Sequence, residues 1–215
     1  MRAYRTEALA ADIDELIRHC GVESAAVVGH DWGAVVAWEL AMRHPEVVER
    51  LTIFNGPHPR TFAHGLRRPS QVARLWYMGF FQVPLVAQAA LRARHHAALR
   101  LALERDPVRP GAYTPEDLER YEEAWSQPGA IDGMLNYYRA AARRNPRSVL
   151  GGLRPIEVPV TVIWGERDTA LEPTMAEPDR QLVPHARVER IPDASHWVLS
   201  DRPERATELL LGSLT

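Results

Sequence analysis

A chain of 215 residues, 46% hydrophobic and 25% charged, has enough apolar side chain to bury one substantial core. Its formal net charge of -2 provides no field that would gather nucleic acid or an anionic membrane surface. The single cysteine, Cys20, excludes an internal disulfide; with no signal-like apolar run over residues 1–11 and no membrane-spanning segment, the expectation is a cytoplasmic protein.

The elements follow in chain order. Over residues 7–18 the apolar positions Leu9, Ile13, Leu16 and Ile17 recur at helical spacing and Gly21 follows, which predicts a helix and its stop. Residues 25–28 form a short continuous apolar run, expected to be a parallel strand buried on both faces. A helix is predicted over 32–43, closed by Pro45, then a strand over 51–54 and a loop through Asn55-Gly56-Pro57-His58-Pro59. Residues 61–153 carry helical spacing and no strand pattern. The α/β alternation resumes with a strand over 158–164, a helix over 173–183, a strand over 187–191 and a helix over 203–211. The expected organisation is therefore an α/β core from residues 1–59 and 155–215, with a helical lid inserted at 60–154.

Chemistry concentrates in three places. Gly29-His30-Asp31-Trp32-Gly33 joins a strand to a helix, and the two glycines are expected to permit a sharp turn that displays Asp31 at the strand end. The competing reading is that Asp31 merely caps the helix that follows it. Downstream, the strand ending in Trp164-Gly165-Glu166-Arg167-Asp168 supplies an acid, and the loop Asp193-Ala194-Ser195-His196-Trp197 supplies a histidine. The order nucleophile, acid, histidine is that of a hydrolase triad on an α/β sheet. No histidine set has recognisable metal-ligand spacing and no glycine-rich phosphate loop follows a strand, so neither a metal nor another cofactor is expected.

These motifs, with Asn-Gly-Pro-His-Pro at 55–59 and the lid segments Trp76-Tyr77-Met78-Gly79-Phe80-Phe81-Gln82 and Leu135-Asn136-Tyr137-Tyr138-Arg139, make the sequence resemble the α/β-hydrolase-fold epoxide hydrolases over residues 4–214. The resemblance implies a mostly parallel sheet flanked by helices, and a tyrosine from each lid segment aimed at the epoxide oxygen. The matching positions are Tyr77 and Tyr138, with Tyr137 as the alternative to the latter. It further implies that Asp31 attacks the ring carbon, the tyrosines stabilise the alkoxide, and His196, oriented by Asp168, activates water against the resulting ester. A carboxylate is already ionised at neutral pH and needs no base to attack, whereas a serine would. The backbone N–H of Trp32 would hold the oxyanion of the second step. Trp76, Phe80 and Phe81 would line an apolar pocket. The expected partner is a small apolar epoxide, with no nucleic acid or membrane; a homo-oligomer is compatible.

The sequence departs from the family at one point. Members carry further strands and a His-Gly-x-Pro loop, the source of a second oxyanion donor, before this region, and the sole His-Gly here, His64-Gly65, falls in the lid. The expectation is an internal start within a longer gene product or a decayed paralogue, with the strand at 25–28 left as an apolar edge. Two other functions compete. A haloalkane dehalogenase would share the aspartate nucleophile and use Trp32 against halide, but a phenol pair suits an alkoxide better. A catalytically impaired fragment would bind a partner through its sheet edge.

Overall fold

The segments read as strands form one parallel sheet: β1 (Ala25–His30), β2 (Val48–Phe54), β3 (Val160–Gly165) and β4 (Ala186–Ile191), in the spatial order β1-β2-β3-β4. The structure is a computed structural model and describes residues 2–215. Registration pairs Val27 with Leu51, Ile53 with Val162 and Ile163 with Glu189. Because successive side chains on a strand point to opposite faces, the apolar residues divide between two cores. Leu51, Ile53, Val160, Val162 and Trp164 face one, together with α1 (Thr6–His19) and α2 (Trp32–Arg43); Phe54, Ile163 and Ile191 face the other, under α11 (Pro203–Leu214).

That division corrects the expectation for β1. The strand is not buried on both faces: Val27 packs into the core beneath α2, while on the opposite face Val28 is 48% exposed. The reason is that α11 packs mainly against β2 and β3, away from β1 at the edge of the sheet. A second correction concerns residues 173–183. Only the one-turn 3-10 helix Pro173–Ala176 forms there, and Glu177 is extended at ψ 111 because Pro178 follows it.

Between β2 and β3 the chain is helical: α3 (Pro59–Gly65), α4 (Pro69–Arg74), α5 (Trp76–Phe80), α6 (Val86–Arg105), α7 (Pro115–Ser126), α8 (Ala130–Ala142) and α9 (Pro146–Gly151). α6 is broken in its middle, where Arg94, His95 and His96 take φ of 50, 53 and 61. α7 starts on a capping box in which Thr114 and Asp117 bond each other's backbone N–H, ahead of Pro115 at the first helical position. Ala87 and Leu91 of α6 pack on Ile131 and Leu135 of α8, with Phe80 and Phe81 against them, giving these helices a small core of their own. The short helix α10 (Val198–Asp201) follows the histidine loop.

His58 anchors the exit from β2. Its Nδ1 accepts from the Arg60 N–H at the start of α3, and its ring stands edge-on to the buried Trp38, whose indole donates to Gly56 O at 3.0 Å. Nδ1 being an acceptor, the ring proton sits on Nε2, which finds no partner among the described residues. Burial, with Arg60 nearby and Asp179 opposing, lowers the His58 pKa to about 4. The unfolded chain takes up a proton from about pH 6.5 downward while the folded chain refuses it until about pH 4. Stability is therefore expected to fall by roughly 3 kcal/mol between those pH values. Urea unfolding across this range checks it; His58→Asn, which keeps the cap acceptor but cannot titrate, should lose this part of the acid sensitivity.

Candidate active site

Asp31 sits at the turn from β1 into α2 with φ 51 and ψ -119, a conformation that non-glycine residues adopt at a cost of about 1–3 kcal/mol. Its backbone is held by Asp31 N donating to Phe54 O at 3.4 Å and by Asp31 O accepting from Ala34 N and Val35 N at 3.1 and 3.2 Å. A Cβ on Gly29 would lie 2.6 Å from Gly33 O, so the entry to the turn admits only glycine. Gly33 itself, expected to be required for the same reason, has open space where a Cβ would stand. The Asp31 side chain makes no capping hydrogen bond and is 46% exposed, which removes the capping reading. The N–H groups that open α2, that of Trp32 first, have no intrahelical partner and point from the same turn.

His196 Nε2 stands 3.5 Å from Asp31 Oδ1, and its Nδ1 donates to Asp168 Oδ2 at 2.8 Å. Asp168 is fully buried yet saturated with donors: Asn55 Nδ2 reaches Oδ2 at 2.8 Å, and the N–H groups of Ala170 and Leu171 both reach Oδ1 at 2.8 Å. Burial disfavours its charge, but His196 and these donors outweigh burial and hold its pKa below the usual range. For His196, burial pulls down, while the bond to Asp168 and the charges of Asp168 and Asp31 raise its pKa to about 9. The resting imidazole is thus protonated, between two carboxylates. His30 donates from Nε2 to the His196 carbonyl at 2.9 Å, pinning the loop from beneath.

Tyr77 of α5 and Tyr138 of α8 meet above this group with ring centroids 6.0 Å apart. Tyr138 also lies 5.1 Å from Trp32 and 4.8 Å from Phe81. Tyr137 turns instead toward Tyr4, at 5.3 Å, and the other side of Trp32. Burial, followed for Tyr77 by Tyr138 and Asp31 and for Tyr138 by Asp31, pushes both phenol pKa values well above the ordinary one, so both hydroxyls stay protonated. The two segments are cross-tied: Gln82 Nε2 donates to Tyr138 O at 3.4 Å and Met78 O at 3.0 Å, and Arg139 Nε donates to Phe81 O at 3.0 Å. Phe81 contacts both tyrosines, and Phe80 lies behind it. Trp76 does not join them as a pocket wall: it is 70% exposed, because Tyr77 takes the inward position of this short helix and its neighbour is rotated outward.

Two residues here have roles that the sequence does not assign to them. Asn55 is buried, with Oδ1 accepting from Gly165 N at 2.8 Å and Nδ2 reaching Asp168, so it fixes the acid against its own strand. Asp201 is buried and accepts from the N–H and hydroxyl of Ser195, at 2.7 and 2.6 Å, beside the histidine. Asn-Gly after a strand signals only a turn, and an aspartate six residues beyond Ser195 signals nothing by itself. As for metals, the described residues bring Asp14, His44 and Glu46 within ligand distance of one another, but Arg18 already bonds both carboxylates.

The strained aspartate turn, the buried acid and the histidine between them, on a parallel sheet, define a hydrolase. The chain belongs to the α/β-hydrolase fold family, whose profile matches residues 2–203, and within it groups with the epoxide hydrolases. It is 36% identical over 211 residues to the AB hydrolase superfamily protein YfhM of Bacillus subtilis, covering 97% of this chain and 72% of that one. It is 32% identical over 213 residues to human epoxide hydrolase 4, covering 96% of this chain and 58% of that one. An epoxide hydrolase from Bacillus megaterium, solved as a mutant with its naphthyloxy propanediol product, superposes with a TM-score of 0.90 at 30% identity, over 99% of this chain and 77% of that chain. No helix among the described residues is long and apolar enough to cross a membrane.

Proposed function

We propose that the chain hydrolyses an apolar epoxide to a vicinal diol through an ester on Asp31, with residues 60–154 acting as a lid over a core formed by 1–59 and 155–215. The Asp31 carboxylate attacks a ring carbon; the C–O bond breaks, the alkoxide takes a proton from Tyr77 or Tyr138, and the phenolate so formed recovers a proton at the expense of the His196 imidazolium, which is left neutral. His196 then draws a proton from water, which adds to the Asp31 carbonyl carbon, and the oxyanion is met by the Trp32 N–H. Collapse releases the diol and restores the carboxylate. The observation that carries this reading is a pair of protonated phenols facing a carboxylate that a histidine also touches, since a leaving alkoxide needs acid assistance and a halide does not. Phe80 and Phe81 give the pocket its apolar character, and the naphthyl product of the Bacillus megaterium relative fits an aryl ether epoxide as first substrate to try.

The test is brief exposure to an aryl epoxide followed by acid quench and peptide mass spectrometry. An adduct of substrate mass on the peptide bearing Asp31, absent from Asp31→Asn, is the expected result. Bromide release from a bromoalkane without diol formation from the epoxide would instead make the protein a dehalogenase.

A further inference from the structure

Asp106, at the end of α6, is a carboxylate for which the proposed chemistry has no use. Its two oxygens serve two different loops: Oδ1 accepts from the Thr169 hydroxyl at 2.5 Å, and Oδ2 accepts from the Trp197 indole N–H at 2.8 Å. Thr169 follows Asp168 in the chain, and Trp197 follows His196. The two loops also meet directly, through Arg167 N donating to Ala194 O at 2.9 Å and through the His196–Asp168 bond, and further contacts hold one loop each. Arg74 donates to Asp168 O at 3.0 Å, His30 to His196 O, and Asp201 accepts from Ser195. Asp106 holds both, and it does so from the helical segment that carries the tyrosines.

The geometry of Trp197 makes this contact consequential. Its ring meets that of His196 edge to face at 5.4 Å and is backed by Tyr113 at 5.9 Å. An indole freed from Asp106 can turn, and the imidazole loses the surface that fixes its plane. A carboxylate suits this place because two donors converge on it and it can accept from both without offering a proton. We infer that Asp106 is a positioning residue for the ester-cleaving half of the reaction, keeping Asp168 and His196 in mutual alignment while tying them to the helices over Asp31. The inference rests on the ester mechanism proposed above. Against burial, the charges facing His196 are those of Asp168, Asp31 and Asp106, with His30 as the other titratable neighbour.

Asp106→Ala and Asp106→Asn in the full chain, with rapid-quench mass spectrometry of the Asp31 peptide, separate the two half-reactions. Alanine should slow ester loss about tenfold or more while ester formation stays within about twofold, so that ester accumulates. Asparagine, which can accept from the indole and donate to the Thr169 oxygen, should recover most of the rate. NMR titration of His196 supplies a readout independent of turnover: its pKa should move down on the order of half a unit in both variants. Should the alanine variant not fold, Trp197→Phe removes one arm alone and should show the same split. Formation and loss falling together, or asparagine no better than alanine, overturns the inference. A wild-type protein that forms no ester rejects the epoxide reading instead, and Asp106 is then judged by the titration, where no shift in either variant overturns it.

Discussion

His196→Gln is expected to leave the protein holding an ester that it cannot release. Glutamine fills most of the imidazole's space but offers no base, so water meets the Asp31 ester without proton removal, and turnover should fall by about 1,000- to 10,000-fold. Ester formation needs no base and should persist, so one equivalent of epoxide is consumed and the Asp31 peptide stays heavier for hours. The variant should fold, because Asp168 retains the donors from Asn55, Ala170 and Leu171 after losing His196. Charge explains how a histidine with a pKa of about 9 can act as a base. In the resting site it lies between two carboxylates, and esterification removes the charge of Asp31. With one of the anions gone and burial unchanged, the imidazole releases its proton more readily when water must be activated. Loss of ester formation together with turnover in His196→Gln would assign the histidine to the first step and contradict this scheme.

The residues proposed to react are visible in the sequence and the side chains that hold them are not, for a physical reason. Asp31, Asp168 and His196 each lie at the end of a strand pattern within a few residues of a glycine or a loop signal, and their order along the chain is diagnostic. Asn55 and Asp106 act across the fold instead, 113 residues from Asp168 and 91 residues from Trp197, and no local spacing encodes such a contact. Helix phase was equally illegible where helices are short. In the five residues of α5, nothing in the pattern distinguishes Trp76 from Tyr77 as the inward ring, and the structure turns Trp76 out. Burial of β1 depended on what covers each face of the sheet, a property of neighbouring helices rather than of the strand's own apolar run. At 173–183 the α/β alternation suggested a helix, whereas Pro178 decided the backbone.

Removing both phenols should damage the other half of the reaction. Tyr77→Phe and Tyr138→Phe each delete one donor to the leaving oxygen, and each is expected to slow ester formation about 100- to 1,000-fold, the usual effect of losing one preorganised donor. In each single variant the remaining phenol still reaches the oxygen; the double variant leaves a strongly basic alkoxide with no acid and should lose at least as much as the product of the two. The rings remain, so the contacts of Tyr138 with Phe81 at 4.8 Å and with Trp32 at 5.1 Å survive, and the melting temperature should change little. Burial and Asp31 keep both hydroxyls protonated far above neutrality, so the alkaline limit of wild-type turnover should not be set by either phenol. Single-turnover quench separates this pattern from that of His196→Gln: ester should build slowly and then disappear at the wild-type rate. A double variant that forms ester normally would show that the phenols only pack against each other, and the case for an alkoxide leaving group would lose its support.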